Sequence, residues 1–116
     1  MYVAQVLVFT GLLASVNAYS LLLCTGEDFI GTCKTYSGTT TKDGNCVDWS
    51  STSLNDKVES FYYQDSSCAS IQFFQDKQCS GTSLGISTGP WQKIVTSTAG
   101  KTMSSAWIDN LGCYSP

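Results

Sequence analysis

The stretch that decides the fold is Leu23-Cys-Thr-Gly-Glu-Asp-Phe-Ile-Gly-Thr32, because the chain repeats its pattern as Phe73-Phe-Gln-Asp-Lys-Gln-Cys-Ser-Gly-Thr82. The two stretches lie 50 residues apart (73 − 23 = 50). Farther along, Asn55-Asp-Lys-Val-Glu-Ser60 aligns with Gly100-Lys-Thr-Met-Ser-Ser105 at an offset of 45 (100 − 55 = 45), and Cys68 aligns with Cys113. A deletion of five residues in the second copy reconciles the two offsets (50 − 45 = 5). The chain therefore contains one motif twice.

Short apolar runs separated by turn residues predict that each copy consists of β-strands. The repeated glycines Gly31 and Gly81 follow hairpins, where a positive φ or a close contact excludes a Cβ. The repeated serines Ser60 and Ser105 follow polar turns, and their hydroxyls can tie these turns to a neighbouring hairpin. Eight strands are predicted, at residues 21–25, 32–36, 46–49, 58–63, 70–75, 82–86, 91–95 and 104–109.

The first 18 residues have the layout of a secretory signal peptide. They carry no charged side chain, contain an apolar run from Val6 to Leu13, and end in small residues at Val16 and Ala18. This run is too short to span a bilayer core of about 30 Å, so we expect cleavage after Ala18 and no membrane span. The remaining 98 residues (116 − 18 = 98) predict a single domain at 19–116, with motif one at 19–67 and motif two at 68–116.

The cysteine count predicts three disulfides and a secreted, extracellular location. All six cysteines lie in the part that remains after the predicted cleavage. The extracellular space does not keep thiols reduced, so an even count in a short secreted chain indicates a disulfide framework. Zinc is disfavoured because the chain has no histidine and no Cys-x-x-Cys pair. The cysteines are Cys24, Cys33, Cys46, Cys68, Cys79 and Cys113.

The charge balance excludes nucleic acid as a partner. The chain has six lysines and no arginine against nine acidic residues, a formal net charge of −3. A phosphate backbone would be repelled by this balance and would find no guanidinium group to read its bases. We expect a monomer.

The repeated motif resembles the Greek-key signature of the βγ-crystallin family. In that family an aromatic-x4-aromatic-x-Gly hairpin is followed by a polar turn of the form Asn/Asp-Asn/Asp-x-x-Ser/Thr-Ser. The first copy reads Cys24-x4-Phe29-x-Gly31 and the second reads Phe74-x4-Cys79-x-Gly81, so a cysteine replaces one aromatic residue in each hairpin. The replacement is similar to the six-cysteine secreted branch of the family in filamentous fungi. The resemblance implies an all-β fold of two Greek-key motifs, forming a two-sheet antiparallel β-sandwich with one strand of each motif exchanged into the other's sheet.

Fifteen disulfide pairings are possible for six cysteines, and the sequence alone does not choose among them. With the resemblance in view, we favour bridges inside each motif. Cys79 at a hairpin tip could then reach Cys113 after the last strand, and Cys33 could meet Cys46. This pairing leaves Cys24 with Cys68.

The resemblance also implies one calcium site, formed by the polar turn of motif one and the hairpin of motif two. The turn at 55–60 keeps both acidic or amide positions but has Glu59 where Ser or Thr is usual. Gly100 and Lys101 replace both of these positions in the second turn, so we expect no calcium there. Calcium needs six to eight oxygen ligands. The candidate ligands are Asn55, Asp56, Glu59, Ser60 and Asp76.

We expect a protein that is not an enzyme. Without histidine there is no Ser-His-Asp or Cys-His arrangement, and a filled sandwich of this size leaves little room for a deep cleft. The expected function is that of an extracellular, disulfide-stabilised domain that binds one calcium ion weakly. The alternative is a secreted toxin, antimicrobial protein or host-directed effector that binds an unknown protein or cell-surface target. Among the aromatic residues we expect Trp49 and Trp107 in the core, and at least one of residues 61–63 facing solvent.

Overall fold

The computed structural model describes residues 18–93 and 101–114. The predicted signal peptide lies outside these residues except for Ala18, and so do positions 94–95 of the seventh predicted strand. Each of the eight predicted runs overlaps one strand, although the ends are shifted. The strands are β1 (Ala18–Cys24), β2 (Cys33–Thr39), β3 (Asn45–Asp48), β4 (Ser60–Gln64), β5 (Ser70–Asp76), β6 (Ser80–Thr88), β7 (Trp91–Lys93) and β8 (Ser105–Asp109). Short 3-10 turns occur at Glu27–Phe29, Lys77–Cys79 and Leu111–Tyr114.

The strands form two antiparallel sheets of four strands each. The first sheet has the order β2-β1-β4-β7 and the second has the order β3-β8-β5-β6. Strand β3 follows β2 in the chain but lies in the second sheet, and β7 follows β6 but lies in the first. Each motif therefore gives one strand to the other's sheet. The predicted sandwich of two Greek-key motifs is confirmed.

The core lies between the two sheets and is built from alternate residues of their strands. In β4, Phe61 and Tyr63 are buried whereas Tyr62 is partly exposed, so one aromatic residue of this run points outward as predicted. The rings of Phe61 and Phe73 lie 4.8 Å apart between centroids and join the two sheets. Trp49 is fully buried, and its indole N–H donates to the carbonyl of Met103 at 3.2 Å.

Trp107 lies outside this core, contrary to expectation. Its neighbours Ala106 and Ile108 point inward and are fully buried, so the alternation along β8 turns the indole to the outer face of the second sheet. There its N–H donates to Asp109 at 2.9 Å, and its ring covers Gly44. Gly44 has a φ of 87°, and a Cβ at this position would overlap the ring.

The two hairpins that carry the repeated glycines share the same backbone conformation. Asp28, Phe29 and Gly31 have φ values of 56°, 62° and 84°, and their counterparts Gln78, Cys79 and Gly81 have values of 59°, 55° and 82°. This left-handed region is unfavourable for residues with a Cβ. Its recurrence at matching positions shows that the repeat in the sequence is a repeat in the structure.

One serine in each motif closes this hairpin, as the repeat predicts. The hydroxyl of Ser60 donates to the carbonyl of Gly26 at 2.6 Å and accepts the N–H of Phe29 at 3.0 Å. In the second motif, the hydroxyl of Ser105 donates to the carbonyl of Asp76 at 2.6 Å and accepts the N–H of Cys79 at 2.8 Å. Both serines are fully buried. The two hydroxyls therefore fold each hairpin back onto its own sheet.

A buried polar network joins the end of β4 to the loop after β2. The hydroxyls of Tyr63 and Thr40 both donate to the carboxylate of Asp65, at 2.8 Å and 2.7 Å. Burial and the Asp65 carboxylate together raise the pKa of Tyr63 far above its usual value. Tyr63 is therefore a neutral hydrogen-bond donor at any physiological pH.

The disulfide pairing differs from the one we favoured. The bridges are Cys24–Cys33, Cys46–Cys79 and Cys68–Cys113, so the favoured pairs 33–46, 79–113 and 24–68 are all wrong. Cys24 and Cys33 are direct partners across the hairpin of β1 and β2. Cys68 precedes β5 and Cys113 follows β8, and these strands pair side by side.

The third bridge depends on the strand exchange. Cys46 lies on β3, which the first motif gives to the second sheet, where the hairpin tip that carries Cys79 folds over it. This bridge therefore links the two motifs covalently.

Three disulfides indicate an oxidising environment. Within the part of the chain that the structure describes, no helix is long and apolar enough to cross a bilayer.

Candidate functional site

A polar groove of about 580 Å³ lies where the turn after Leu54, the hairpin of β5 and β6, and the turn before β8 meet. The turn at 55–60 contributes Asp56 to this groove, and the hairpin of motif two contributes Gln75, Asp76 and Lys77. The two segments that we expected to share a site therefore do share a groove. Its full lining is Ser50, Asp56, Gln75, Asp76, Lys77, Ser80, Lys101, Thr102 and Ser104.

Asp56 is held in the groove by contacts between the two polar turns. Its φ of 60° is left-handed, and its N–H donates to the carbonyl of Met103 at 3.1 Å. The hydroxyl of Ser104 donates to the side-chain oxygen of Asn55 at 2.7 Å, and the Asn55 amide lies 3.4 Å from the Asp56 carboxylate. Asn55 therefore spans the two turns, while the carboxylate of Asp56 is exposed.

Asp76 enters the groove from the end of β5. Its carboxylate packs against the backbone of Gly81, where any Cβ would overlap it. Its carbonyl accepts the hydroxyl of Ser105, so the backbone at this position is fixed by the buried serine. The side chain itself is exposed to solvent.

Three of the five predicted calcium ligands do not line the groove. Ser60 is buried, and its hydroxyl is occupied by the backbone of the first hairpin. Asn55 uses its side-chain oxygen as the acceptor for Ser104. Glu59 is half-buried, and its N–H donates to the carbonyl of Cys24 at 2.9 Å. Of the predicted set, the structure therefore brings together Asp56 and Asp76.

Several groove residues were missed by sequence reasoning. Lys101 and Ser104 occupy the second turn at positions that match Asp56 and Glu59 of the first, so the repeat contained a signal for them. Ser50 had no signal of this kind. It reaches the groove because β3, which precedes it, belongs to the second sheet.

Asp48 fixes the wall beside Ser50. Its carboxylate accepts the N–H of Ser50 at 2.8 Å and the N–H of Gln78 at 2.7 Å. Partial burial raises the pKa of Asp48, but the hydrogen bonds from Ser50 and Gln78 and the charge of Lys77 outweigh it. The pKa of this carboxyl therefore lies below its usual value, and Asp48 is ionised at neutral pH.

The chemistry of the groove suits a hard cation, but its charge suits only weak binding. Two carboxylates, several hydroxyls and the Gln75 amide supply the oxygen atoms that calcium prefers. The ammonium groups of Lys77 and Lys101 lie on the same walls and cancel the charge of Asp56 and Asp76. Among residues 18–93 and 101–114, no three acidic, histidine or cysteine side chains converge as they would around a metal ion.

Comparison with solved structures identifies the fold. No protein-family model matches the chain, and no curated protein sequence matches it. A βγ-crystallin from Ciona intestinalis superimposes with a TM-score of 0.51 at 23% identity, covering 75% of this chain and 95% of that one. A βγ-crystallin domain from Flavobacterium johnsoniae gives 0.53 at 16% identity, with coverages of 76% and 91%. One from Clostridium beijerinckii gives 0.53 at 14% identity, with coverages of 78% and 98%. The chain has the fold of a βγ-crystallin domain.

Proposed function

We propose that this chain is a secreted, non-enzymatic binding domain that takes one calcium ion weakly in the groove between Asp56 and Asp76. The observation that carries the proposal is that these two carboxylates come from different motifs and line the same polar groove. The layout of residues 1–18 and the three disulfides support secretion.

The non-enzymatic part of the proposal rests on the side chains available. The chain has no histidine, and all six cysteines are in disulfides. No general base of the His type and no thiolate nucleophile can therefore be assembled.

Two carboxylates and the neutral oxygens around them would hold the ion. Asp56 and Asp76 would supply the charge, and the amide oxygen of Gln75 and the hydroxyls of Ser50 and Ser104 would add neutral ligands. The opposing ammonium groups lower the local charge to zero. We therefore expect a dissociation constant of about 10⁻⁴–10⁻³ M, the range of extracellular calcium modules.

Calcium titration, followed by calorimetry and by the melting temperature, tests the proposal. Calcium should raise the melting temperature of the wild-type protein, and Asp56→Asn should abolish both the heat and the shift. Asparagine tolerates the left-handed backbone at this position, so the variant removes the charge without straining the turn. Lys101→Gln removes an opposing charge and should strengthen binding severalfold. An unchanged melting temperature at about 10 mM calcium, far above the expected dissociation constant, would contradict the proposal.

The second candidate function is that of a secreted effector or antimicrobial protein that binds a cell surface. The observation that favours it is a sheet face whose outward strand residues carry no charge and at whose end Phe29 and Tyr62 lie together. Growth and permeability of microbial and host cells exposed to the purified protein test this candidate. Cells unaffected at all concentrations, with no protein retained on them, would exclude it.

A further inference from the structure

The outer face of the first sheet is an uncharged platform. Side chains alternate along a strand, and Leu21 and Tyr63 point into the core, so their neighbours Leu22 and Tyr62 point outward. Cross-strand pairing aligns Thr35, Leu22, Tyr62 and Gln92 in one row across all four strands. A second row contains Ser37, Ser20 and Gln64. None of these seven side chains is acidic or basic.

Two aromatic rings lie together at one end of this platform. The ring centroids of Phe29 and Tyr62 are 6.4 Å apart, and both rings are partly exposed. The amide of Gln64 donates to the hydroxyl of Tyr62 at 3.2 Å and so orients it. Phe29 has a φ of 62°, which is a costly conformation for a bulky residue. Glycine would remove this strain but would also remove the ring.

The end of the platform near Phe29 differs from the pseudo-symmetric corner of the second sheet. Phe29 is the counterpart of Cys79, because each donates its N–H to the buried serine of its own motif. Gln92 lies opposite Tyr62 just as Cys46 lies opposite Trp107. In the second sheet the corresponding corner is closed by the Cys46–Cys79 disulfide. In the first sheet Phe29 and Gln92 occupy the two corresponding positions.

The geometry points to this platform as a binding site for a short neutral oligosaccharide. The C–H face of a sugar ring is apolar and packs on an aromatic ring such as that of Phe29 or Tyr62. The amides of Gln64 and Gln92 can each donate to and accept from sugar hydroxyls. None of the seven side chains offers an ion pair, so the face gives an anionic or cationic ligand no advantage over a neutral one. The proposal identifies a target chemistry for the second candidate function and does not depend on calcium.

The size of the platform argues against a protein partner. Four strands about 4.8 Å apart span roughly 14 Å, and the two rows of side chains lie roughly 7 Å apart. The platform therefore covers on the order of 100–200 Å². A stable protein–protein interface buries about 800 Å² on each partner, which is several times larger.

The test uses the protein lacking residues 1–18, in EDTA, so that its outcome is independent of the calcium site. The probes are the hexasaccharides of cellulose, laminarin, chitin and mannan, with a heparin hexasaccharide as the charged comparison. Amide chemical shifts in NMR spectra locate the binding, and calorimetry measures the affinity. We expect at least one neutral probe to bind, with shifts confined to the backbone around Leu22, Tyr62 and Gln92.

Two variants and a matched control follow from the structure. Phe29→Gly should weaken binding roughly tenfold while the fold is retained, because glycine favours the left-handed backbone at this position. Tyr62→Ala should weaken binding at least as much. Ile86→Ser changes an exposed apolar residue of the second sheet (65% exposed) and should leave binding unchanged.

Four results would overturn the proposal. They are the absence of binding by every neutral probe, tighter binding of the heparin fragment, wild-type affinity in Phe29→Gly, or shifts that fall on β5 and β8. A protein ligand that requires Phe29 when no oligosaccharide binds would assign the platform to a different class of partner and would also refute it.

Discussion

The carboxylate of Asp48 accepts the backbone N–H of Gln78 at 2.7 Å, although the two residues belong to different motifs. Asp48 ends strand β3, which the first motif gives to the second sheet, and Gln78 is at the left-handed tip of the second hairpin. The bond lies beside the Cys46–Cys79 bridge, between the same two segments. One hydrogen bond and one disulfide therefore fasten the exchanged strand to the hairpin above it.

This bond predicts that part of the stability is lost in acid. The folded-state pKa of Asp48 lies below its usual value of 3.8, so its contribution to the free energy of unfolding is complete above pH 3.8. It disappears as the pH falls through the lower, folded-state pKa. Asp48→Asn should therefore lower the free energy of unfolding by about 1 kcal/mol at pH 7, a modest value because the side chain is partly exposed.

Urea unfolding at pH 7 and at pH values below 3.8 measures this difference. The gap between wild type and Asp48→Asn should narrow as the pH is lowered. Asp43→Asn, which changes an exposed acidic residue, should show no such narrowing. A gap that is the same at every pH would show that the charge of Asp48 has no part in holding the hairpin.

The paired serines predict equal losses of stability in the two motifs. Replacing Ser60 or Ser105, both buried, by Ala leaves a backbone carbonyl without its donor and a hairpin N–H without its acceptor. Each substitution should lower the free energy of unfolding by about 1–3 kcal/mol in urea titrations. Ser53→Ala, at an exposed position, should cost less than about 0.5 kcal/mol. A large loss for one serine and none for the other would show that the motifs are not energetically equivalent.

Gly44 predicts a local effect on Trp107. A side chain at this position would both adopt an unfavourable φ of 87° and overlap the indole ring. Gly44→Ala should therefore lower the free energy of unfolding by about 1–3 kcal/mol and move Trp107 away from Asp109. The tryptophan fluorescence spectrum checks the displacement. Ser53→Ala, at an exposed position in the loop after β3, provides the comparison. An unchanged spectrum and melting temperature for Gly44→Ala would contradict the prediction.

The strands and the duplicated corner could be predicted because local chemistry determines them. Gly31 and Gly81 have the positive φ that their positions after a hairpin suggested, and Ser60 and Ser105 have the predicted role. Local sequence could not predict that the side chain of Trp107 points to the outer face of the second sheet. In a run of three apolar residues, 106–108, either alternate set can face the core, and only the packing of the second sheet decides.

The candidate site was predictable in part. Asp56 lies in the polar turn of motif one and Asp76 in the hairpin of motif two. These are the two segments that the repeated motif led us to expect at one site, and they line the same groove. The role of Ser60 was predicted twice, as a ligand and as a hairpin tie, and the structure uses its hydroxyl for the second. Ser50 reaches the groove only through the strand exchange, which brings together residues that no local pattern connects.

The Cys46–Cys79 bridge could not be predicted because it depends on this exchange. We favoured bridges inside each motif, and two of the three bridges, Cys24–Cys33 and Cys68–Cys113, are of this kind although their partners differ from those we chose. The exchange moves Cys46 out of the first sheet and under the second hairpin. The hairpin tip that holds Cys79 is bent back by Ser105, and this bend points it toward β3 and away from the chain end at Cys113. A cysteine's distance along the chain therefore says little about its partner here.

A tryptic digest under non-reducing conditions tests the pairing directly, because the lysines separate most of the cysteines. Cleavage after Lys34 leaves Cys24 and Cys33 in one peptide, which should carry an internal bridge. Peptide 43–57 should be linked to peptide 78–93 through Cys46 and Cys79, and peptide 58–77 to peptide 102–116 through Cys68 and Cys113. Mass spectrometry before and after reduction identifies each pair.

The alternative pairing gives a different set of masses. If Cys33 were bonded to Cys46, the peptide that ends at Lys34 would be linked to peptide 43–57. If Cys79 were bonded to Cys113, peptide 78–93 would be linked to peptide 102–116. In the structure, the Cys24–Cys33 bridge lies before Lys57 and the Cys68–Cys113 bridge lies after it. Only the Cys46–Cys79 bridge therefore joins the two halves of the chain on either side of Lys57. A double variant, Cys46→Ser with Cys79→Ser, should therefore let the halves separate after native cleavage at Lys57 and denaturation. Halves that remain linked in that variant would refute the observed pairing.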